Sequence, residues 1–252
     1  MPPSGFGVAY LFEKAMRMKV GIIQSCYLPW RGYFDFIRDV DLFVFFDDTQ
    51  FTRRDWRNRN KIKTAQGPVW ITVSVNDVYA SQSIFDTGID YAHDWPQRHI
   101  NLFRQWYSKA PFYSDYAEEL FALIRTPRRT ISDLNVVLTQ WIVAKLGIKT
   151  ELHLSSEYHP QGLKTERLID ILKKVKATAY VSGPSARDYM QEDRFREEKI
   201  RLEYKNYDYA PYPQLWGDFN GAVTVMDLLF NTGPEAVTYL KSRGPNEVAV
   251  DI

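Results

Sequence analysis

The stretch Val20–Lys63, VGIIQSCYLPWRGYFDFIRDVDLFVFFDDTQFTRRDWRNRNKIK, decides the fold. Lys19–Gln24 is a short apolar run that ends at a polar residue, the pattern of a buried strand. Pro29 opens a short helix through about Arg38, and Asp41–Phe46 reads as a second buried strand. Strand, helix and strand follow one another within the length of one βαβ unit.

The same alternation continues outward. Val69–Val75 follows the turn signal Gly67-Pro68 and reads as a third strand. His93–Tyr107, Phe112–Ile124 and Ser132–Leu146 read as helices; Ser132 and Asp133 suit the N-terminus of the last, and Gly147 suits its end. Thr150–Leu154 is a strand, Lys164–Lys174 an amphipathic helix and Thr178–Val181 another strand. Beyond it lie Ser182-Gly183-Pro184-Ser185, a helix opening near Ser185 or Ala186, the strand Ile200–Tyr204, and helices near Val223–Asn231 and Glu235–Ser242. Apolar strands alternating with helices predict an α/β fold, Rossmann-like, with a mostly parallel sheet flanked by helices. The expected organisation is an extension over residues 1–17, a single domain over 18–245 with a helical insertion at about 93–146, and a tail over 246–252.

The chain has 252 residues, 45% hydrophobic and 25% charged, with a net charge of +1. That balance argues against a nucleic-acid partner or a membrane surface recognised by bulk charge. No run approaches the length of a membrane span, and MPPSGFGVAYLFEKAMR lacks the apolar core of a secretory signal. The single cysteine, Cys26, leaves no intramolecular disulfide, which suits a reducing cytoplasm. Aromatic residues make up 15% of the chain, many in loops beside Pro and Gly. Rings of this size usually serve the core; clustered with Arg and Asn they also suit a pocket for a planar or sugar ligand.

Three polar clusters follow directly on predicted strands: Gln24-Ser25-Cys26-Tyr27, Asp47-Asp48-Thr49-Gln50 and Ser182-Gly183-Pro184-Ser185. In a parallel sheet, ligands sit outside the carboxyl ends of the strands, so neighbouring strands would bring these clusters to one rim. Asp47 and Asp48 point to opposite faces if extended. In a turn both could approach a divalent ion or divide acid and base roles; alternatively one caps the turn and the other pairs with an arginine. Arg53–Lys63 holds six basic residues and one acid in eleven positions. A solvated face is the ordinary meaning of such a run. Interleaved Trp56, Asn58 and Asn60, with arginine preferred in its first half, also fit an anion site. Cys26 has no base assigned to it, and His99 is the best general-base candidate among four scattered histidines.

IIQSCYLPWRGYFDFI and LFVFFDDTQFTRRDWRNRNKIK together resemble the WbqC-like family, found with bacterial O-antigen and surface-polysaccharide genes. The resemblance continues through KTERLIDILKK, YVSGPSARDYM, YPQLWGDF and VMDLLFNTGPE, from Met18 to about Glu235. It implies an enzyme acting on a nucleotide-linked or lipid-linked amino sugar, by acyl or aminoacyl transfer to the sugar amine. A non-catalytic sugar-nucleotide-binding module is the alternative. By resemblance, Gln24, Tyr27, Trp30, Gly32, Tyr33, Asp47, Asp48, Arg57, Asn58, Arg59, Lys164, Ser182, Gly183 and Tyr189 carry the family pattern. Asp47, Asp48 and His99 are then the acid–base candidates, and the others, Gly32 apart, the substrate contacts. An acyl or aminoacyl donor, a divalent metal and a carrier protein are the implied accessories. Family members commonly have a small polar residue where Cys26 stands, which counts against an essential thiol. A more distant resemblance is to adenylate-forming ligases, where a His-x-Gly-His loop holds ATP phosphates. Here Trp30-Arg31-Gly32-Tyr33 keeps the glycine and replaces both histidines.

Overall fold

The computed structural model describes residues 17–252, so the expected extension falls, apart from Arg17, outside the described residues. Strand β1 (Lys19–Ile23) leads through helix α1 (Arg31–Arg38) into β2 (Leu42–Phe45). A hairpin of β3 (Arg59–Thr64) and β4 (Gly67–Thr72) follows, then α2 (Trp95–Tyr107), α3 (Tyr113–Arg125) and α4 (Ile131–Lys145). The chain continues through β5 (Glu151–Leu154), α5 (Lys164–Lys174), β6 (Ala179–Ser182), α6 (Glu192–Glu197) and β7 (Arg201–Tyr204). It closes with α7 (Val225–Thr232) and β8 (Glu247–Val250).

Six strands make one sheet in the order β5-β2-β1-β6-β7-β8, parallel except for β8. The fold is α/β, as the alternation of strands and helices predicts. Side chains alternate between the sheet faces with a period of two. Val20, Ile22, Leu42 and Val44 pack with Leu168, Leu172 and Phe195 of α5 and α6 on one face. Phe43 and Phe45 pack on the other, with Phe36 and Ile37 of α1 and with residues of α2, α3, α4 and the hairpin. Gly21 stands on this second face, where an added Cβ would lie 2.3 Å from the Phe36 ring. The glycine lets α1 settle onto β1.

Four expectations change. The segment expected as a third sheet strand becomes β4, which pairs antiparallel with β3 and stays out of the main sheet. Its partner comes from the basic run, whose charge conceals an alternation: Asn60 and Ile62 are buried while Arg59 and Lys61 are partly exposed. At α4, Thr130 rather than Ser132 is the cap, and Asp133 closes a reciprocal capping box with it. The expected helix at Ser185 is a short 3₁₀ turn, Pro184–Asp188, without the aligned dipole of an α-helix N-terminus. Within the expected tail, Glu247–Val250 forms β8 and pairs with β7.

Candidate functional site

The sheet reverses its direction of growth between β1 and β6. From β1 the chain moves outward to β2, whereas β6 and β7 extend the opposite edge. At such a switch point the loops beyond the strand ends part and leave a crevice. A cleft of about 640 Å³ lies there. Gln24 and Tyr33 line it beside β1, Trp56 and Arg57 enter from the β2–β3 connection, Lys164 from α5, and Ser182 and Gly183 from the end of β6.

Arg57 is the buried charge of this cleft, 8% exposed. Its Nη1 donates to Gln24 Oε1 at 2.8 Å, while Nε is buried without a hydrogen-bond partner. The Asp55 carboxylate stands 3.9 Å from Nε. Gln24 is fixed at its other end too, since its Nε2 donates to Thr49 Oγ1 at 3.1 Å. The Tyr33 hydroxyl donates to the Gln24 carbonyl at 3.2 Å.

Behind this pair runs a buried polar network. The Ser25 N–H donates to Asp47 Oδ1 at 2.7 Å, and the Ser132 hydroxyl donates to Asp47 Oδ2 at 2.5 Å. Asn135 Nδ2 donates to both Ser25 Oγ (3.1 Å) and the Arg57 carbonyl (2.8 Å). Burial raises the Asp47 carboxyl above its ordinary value, against the hydrogen bonds from Ser132 and Ser25. Asp47 thereby holds the β1 loop against α4. Ser132 and Asn135 were missed as site residues because nothing in a helical pattern announces a contact across the fold.

The remaining expected residues divide. Trp30, Tyr189 and Lys164 line the cleft; Tyr189 is 63% exposed. Tyr27 is wholly buried, its hydroxyl 2.9 Å from His99 Nδ1, and neither lines the cleft. Burial lowers the His99 imidazole to about 3, so it stays neutral at physiological pH. Asn58 donates to the Val73 carbonyl at 2.9 Å and ties the hairpin together. The Arg59 guanidinium lies over Trp70, 4.1 Å from the ring centre. Asp48 faces away from Asp47, accepts from Ser155 at 2.6 Å and pairs with Arg167 of α5. Among the described residues, no group of three or more His, Cys, Asp or Glu side chains could hold a metal ion.

The aromatic wall depends on a distant loop. Arg31, 4% exposed, donates to the carbonyls of Ala210 and Tyr239 and lies over the rings of Tyr209, Tyr212 and Phe219. Lys63 Nζ donates to Gln214 Oε1 at 2.9 Å and to the Asp218 carbonyl at 2.6 Å. The loop so anchored sets Tyr207 against Trp30, with ring centres 5.2 Å apart. Trp30 in turn covers Gly32, where a Cβ would lie 2.3 Å from the indole. Trp30 and Trp56 also bound a second, apolar compartment of about 340 Å³, completed by Cys26, Pro29, Asn60 and Ala222.

Residues 24–239 match the WbqC-like protein family. The chain belongs to this family. It is also similar to the uncharacterized protein Rv1507c of Mycobacterium tuberculosis, at 47% identity over 226 residues, 88% of this chain and 97% of the relative. No solved structure matches. The family match begins at Gln24, just past β1, and spans the hairpin, the helical block and the loop that supplies Tyr207, so the lining residues of the WbqC-like cleft other than Ile22 and Ile23 fall within it.

Proposed function

We propose that this WbqC-like protein binds a nucleotide-linked amino sugar of surface-polysaccharide synthesis in the β1–β6 cleft and acylates the sugar amine. The observation that carries this is Arg57: a buried guanidinium whose Nε has no hydrogen-bond partner, with the Asp55 carboxylate 3.9 Å from it, on a wall that also bears Lys164, two indoles and four phenols. A diphosphate takes charge-assisted bonds from such groups, and rings stack against a base or sugar. With a thioester donor, the neutral amine nitrogen attacks the carbonyl carbon. A C–N bond forms, the C–S bond breaks, and the nitrogen's proton passes to the departing thiolate. A coenzyme A or carrier-protein thioester would supply the acyl group; an activated amino acid is the aminoacyl counterpart. Such substrates place the reaction in the cytoplasm. No helix among the described residues is long and apolar enough to cross a membrane.

Of the three acid–base candidates, Asp48 retains the most exposure and sits beside Thr49 of the cleft wall, whereas Asp47 and His99 are buried in hydrogen bonds. That burial favours a second reading, a binding module without turnover. Incubation with UDP- and dTDP-amino sugars and acyl-coenzyme A, acyl carrier protein, or amino acid plus ATP separates the two. Mass spectrometry should find the acylated sugar nucleotide with one donor class. Binding without a product for every donor would leave the module.

A further inference from the structure

The apolar compartment beside the cleft offers a ligand almost nothing polar. Its amide and its thiol are already engaged. Asn60 Nδ2 donates to the carbonyls of Tyr27 (3.2 Å) and Leu28 (2.7 Å), and its Oδ1 accepts the Lys61 N–H at 2.7 Å. The Cys26 thiol donates to the Gln24 carbonyl at 3.7 Å, and burial pushes it up to about 11. It behaves as a small apolar group. Pro29, Ala222, Trp30 and Trp56 supply the rest. Beyond the two indole N–H groups, a sugar or a nucleobase entering here would surrender hydrogen bonds to water for little in return.

We propose that this compartment takes the hydrocarbon chain of the acyl donor. The proposal rests on reading the adjacent cleft as the sugar-nucleotide site, and it names the substrate class: a fatty or aryl thioester rather than a polar aminoacyl donor. Trp30 and Trp56 are common to both spaces, so a chain lying between them leaves its carbonyl at the junction, facing the cleft. Size sets the chain length. An apolar cavity of roughly 150 Å³ accepts benzene, so about 340 Å³ holds roughly fourteen carbons at the same density.

The test uses N-acetylcysteamine thioesters with acetyl, hexanoyl and decanoyl chains, titrated calorimetrically into the full chain without any sugar. Hexanoyl should bind about 200-fold more tightly than acetyl if all four added methylenes are buried. Ala222 is exposed and lies outside the cleft, so Ala222→Phe can fill the compartment without disturbing the core. It should flatten the chain-length dependence and leave UDP-amino-sugar affinity unchanged. A flat profile in the wild type, or an unaltered one in Ala222→Phe, overturns the proposal. So does loss of uridine binding in that variant, which would put the base there. If no nucleotide sugar binds at all, the reading of the cleft fails, while the chain-length result still decides the compartment.

Discussion

Arg57 and Gln24 hold one another at the cleft wall, Nη1 to Oε1 at 2.8 Å, although 33 residues separate them. The glutamine amide is spanned between this guanidinium and Thr49, so its orientation is fixed before any ligand arrives. Arg57 Nε makes no hydrogen bond, and the Asp55 carboxylate 3.9 Å away offsets part of the guanidinium charge.

Arg57→Ala should therefore weaken sugar-nucleotide binding by about 1.5–3 kcal/mol, the range for a hydrogen bond to a charged group. Arg57→Lys should not restore it, because the planar fork is lost. Neighbouring residues should behave differently. Asn58→Ala should lower stability by about 1–2 kcal/mol by leaving the Val73 carbonyl unpaired, and Arg59→Ala should leave affinity alone. Calorimetric titration with melting curves reads all four; equal losses of affinity at the three positions would contradict the geometry.

Gly32 is required by Trp30. A methyl at position 32 meets the indole at 2.3 Å, so Gly32→Ala should displace the ring. Overpacking of this kind costs about 1–3 kcal/mol, less the gain in helix propensity of up to about 1 kcal/mol. In a Trp30→Ala background the cost should shrink by at least about 1 kcal/mol, a coupling measured by a double-mutant cycle in urea. Additive effects would mean that the two residues do not touch.

Cys26 should be inert. Its thiol is 6% exposed and raised to about 11, so little thiolate exists at neutral pH. Iodoacetamide at pH 7 should label the folded protein far more slowly than the urea-unfolded chain. Cys26→Ser should retain sugar-nucleotide affinity. Rapid native labelling would reopen a thioester route through this residue.

His99 should make the fold acid-sensitive. Its folded value is lowered to about 3 from 6.5, so the unfolded chain takes up the proton first as pH falls. Stability is then full above about 6.5 and declines toward 3, by about 2 kcal/mol between pH 7.5 and 5. His99→Gln should lower stability at pH 7.5 yet flatten that decline. Urea titrations at the two pH values test it; an undiminished slope in the variant would assign the sensitivity to other groups.

The chain's own sequence determined five of the six main-sheet strands, whereas β8 and the separation of the β3–β4 hairpin from that sheet were not legible in it. Lys19–Ile23, Leu42–Phe45 and Ala179–Ser182 are apolar strands bounded by polar residues, and the amphipathic helix Lys164–Lys174 carries its own periodicity. These signals are local, so they survive without a partner. Their positions also located the rim, because ligands gather where parallel strands end. What faces what was decided only by tertiary structure. Arg57, Asn58 and Arg59 are consecutive and chemically alike in prospect, yet one lines the cleft, one binds Val73 and one lies on Trp70. Asp47 finds Ser132 across 85 residues, and Tyr27 finds His99 across 72. Such pairs depend on packing of the hairpin and the helical block against the sheet, which buries Asp47 and His99 in hydrogen bonds. The loop that places Tyr207 beside Trp30 has no periodic signal, being held by Arg31 and Lys63 from elsewhere in the fold.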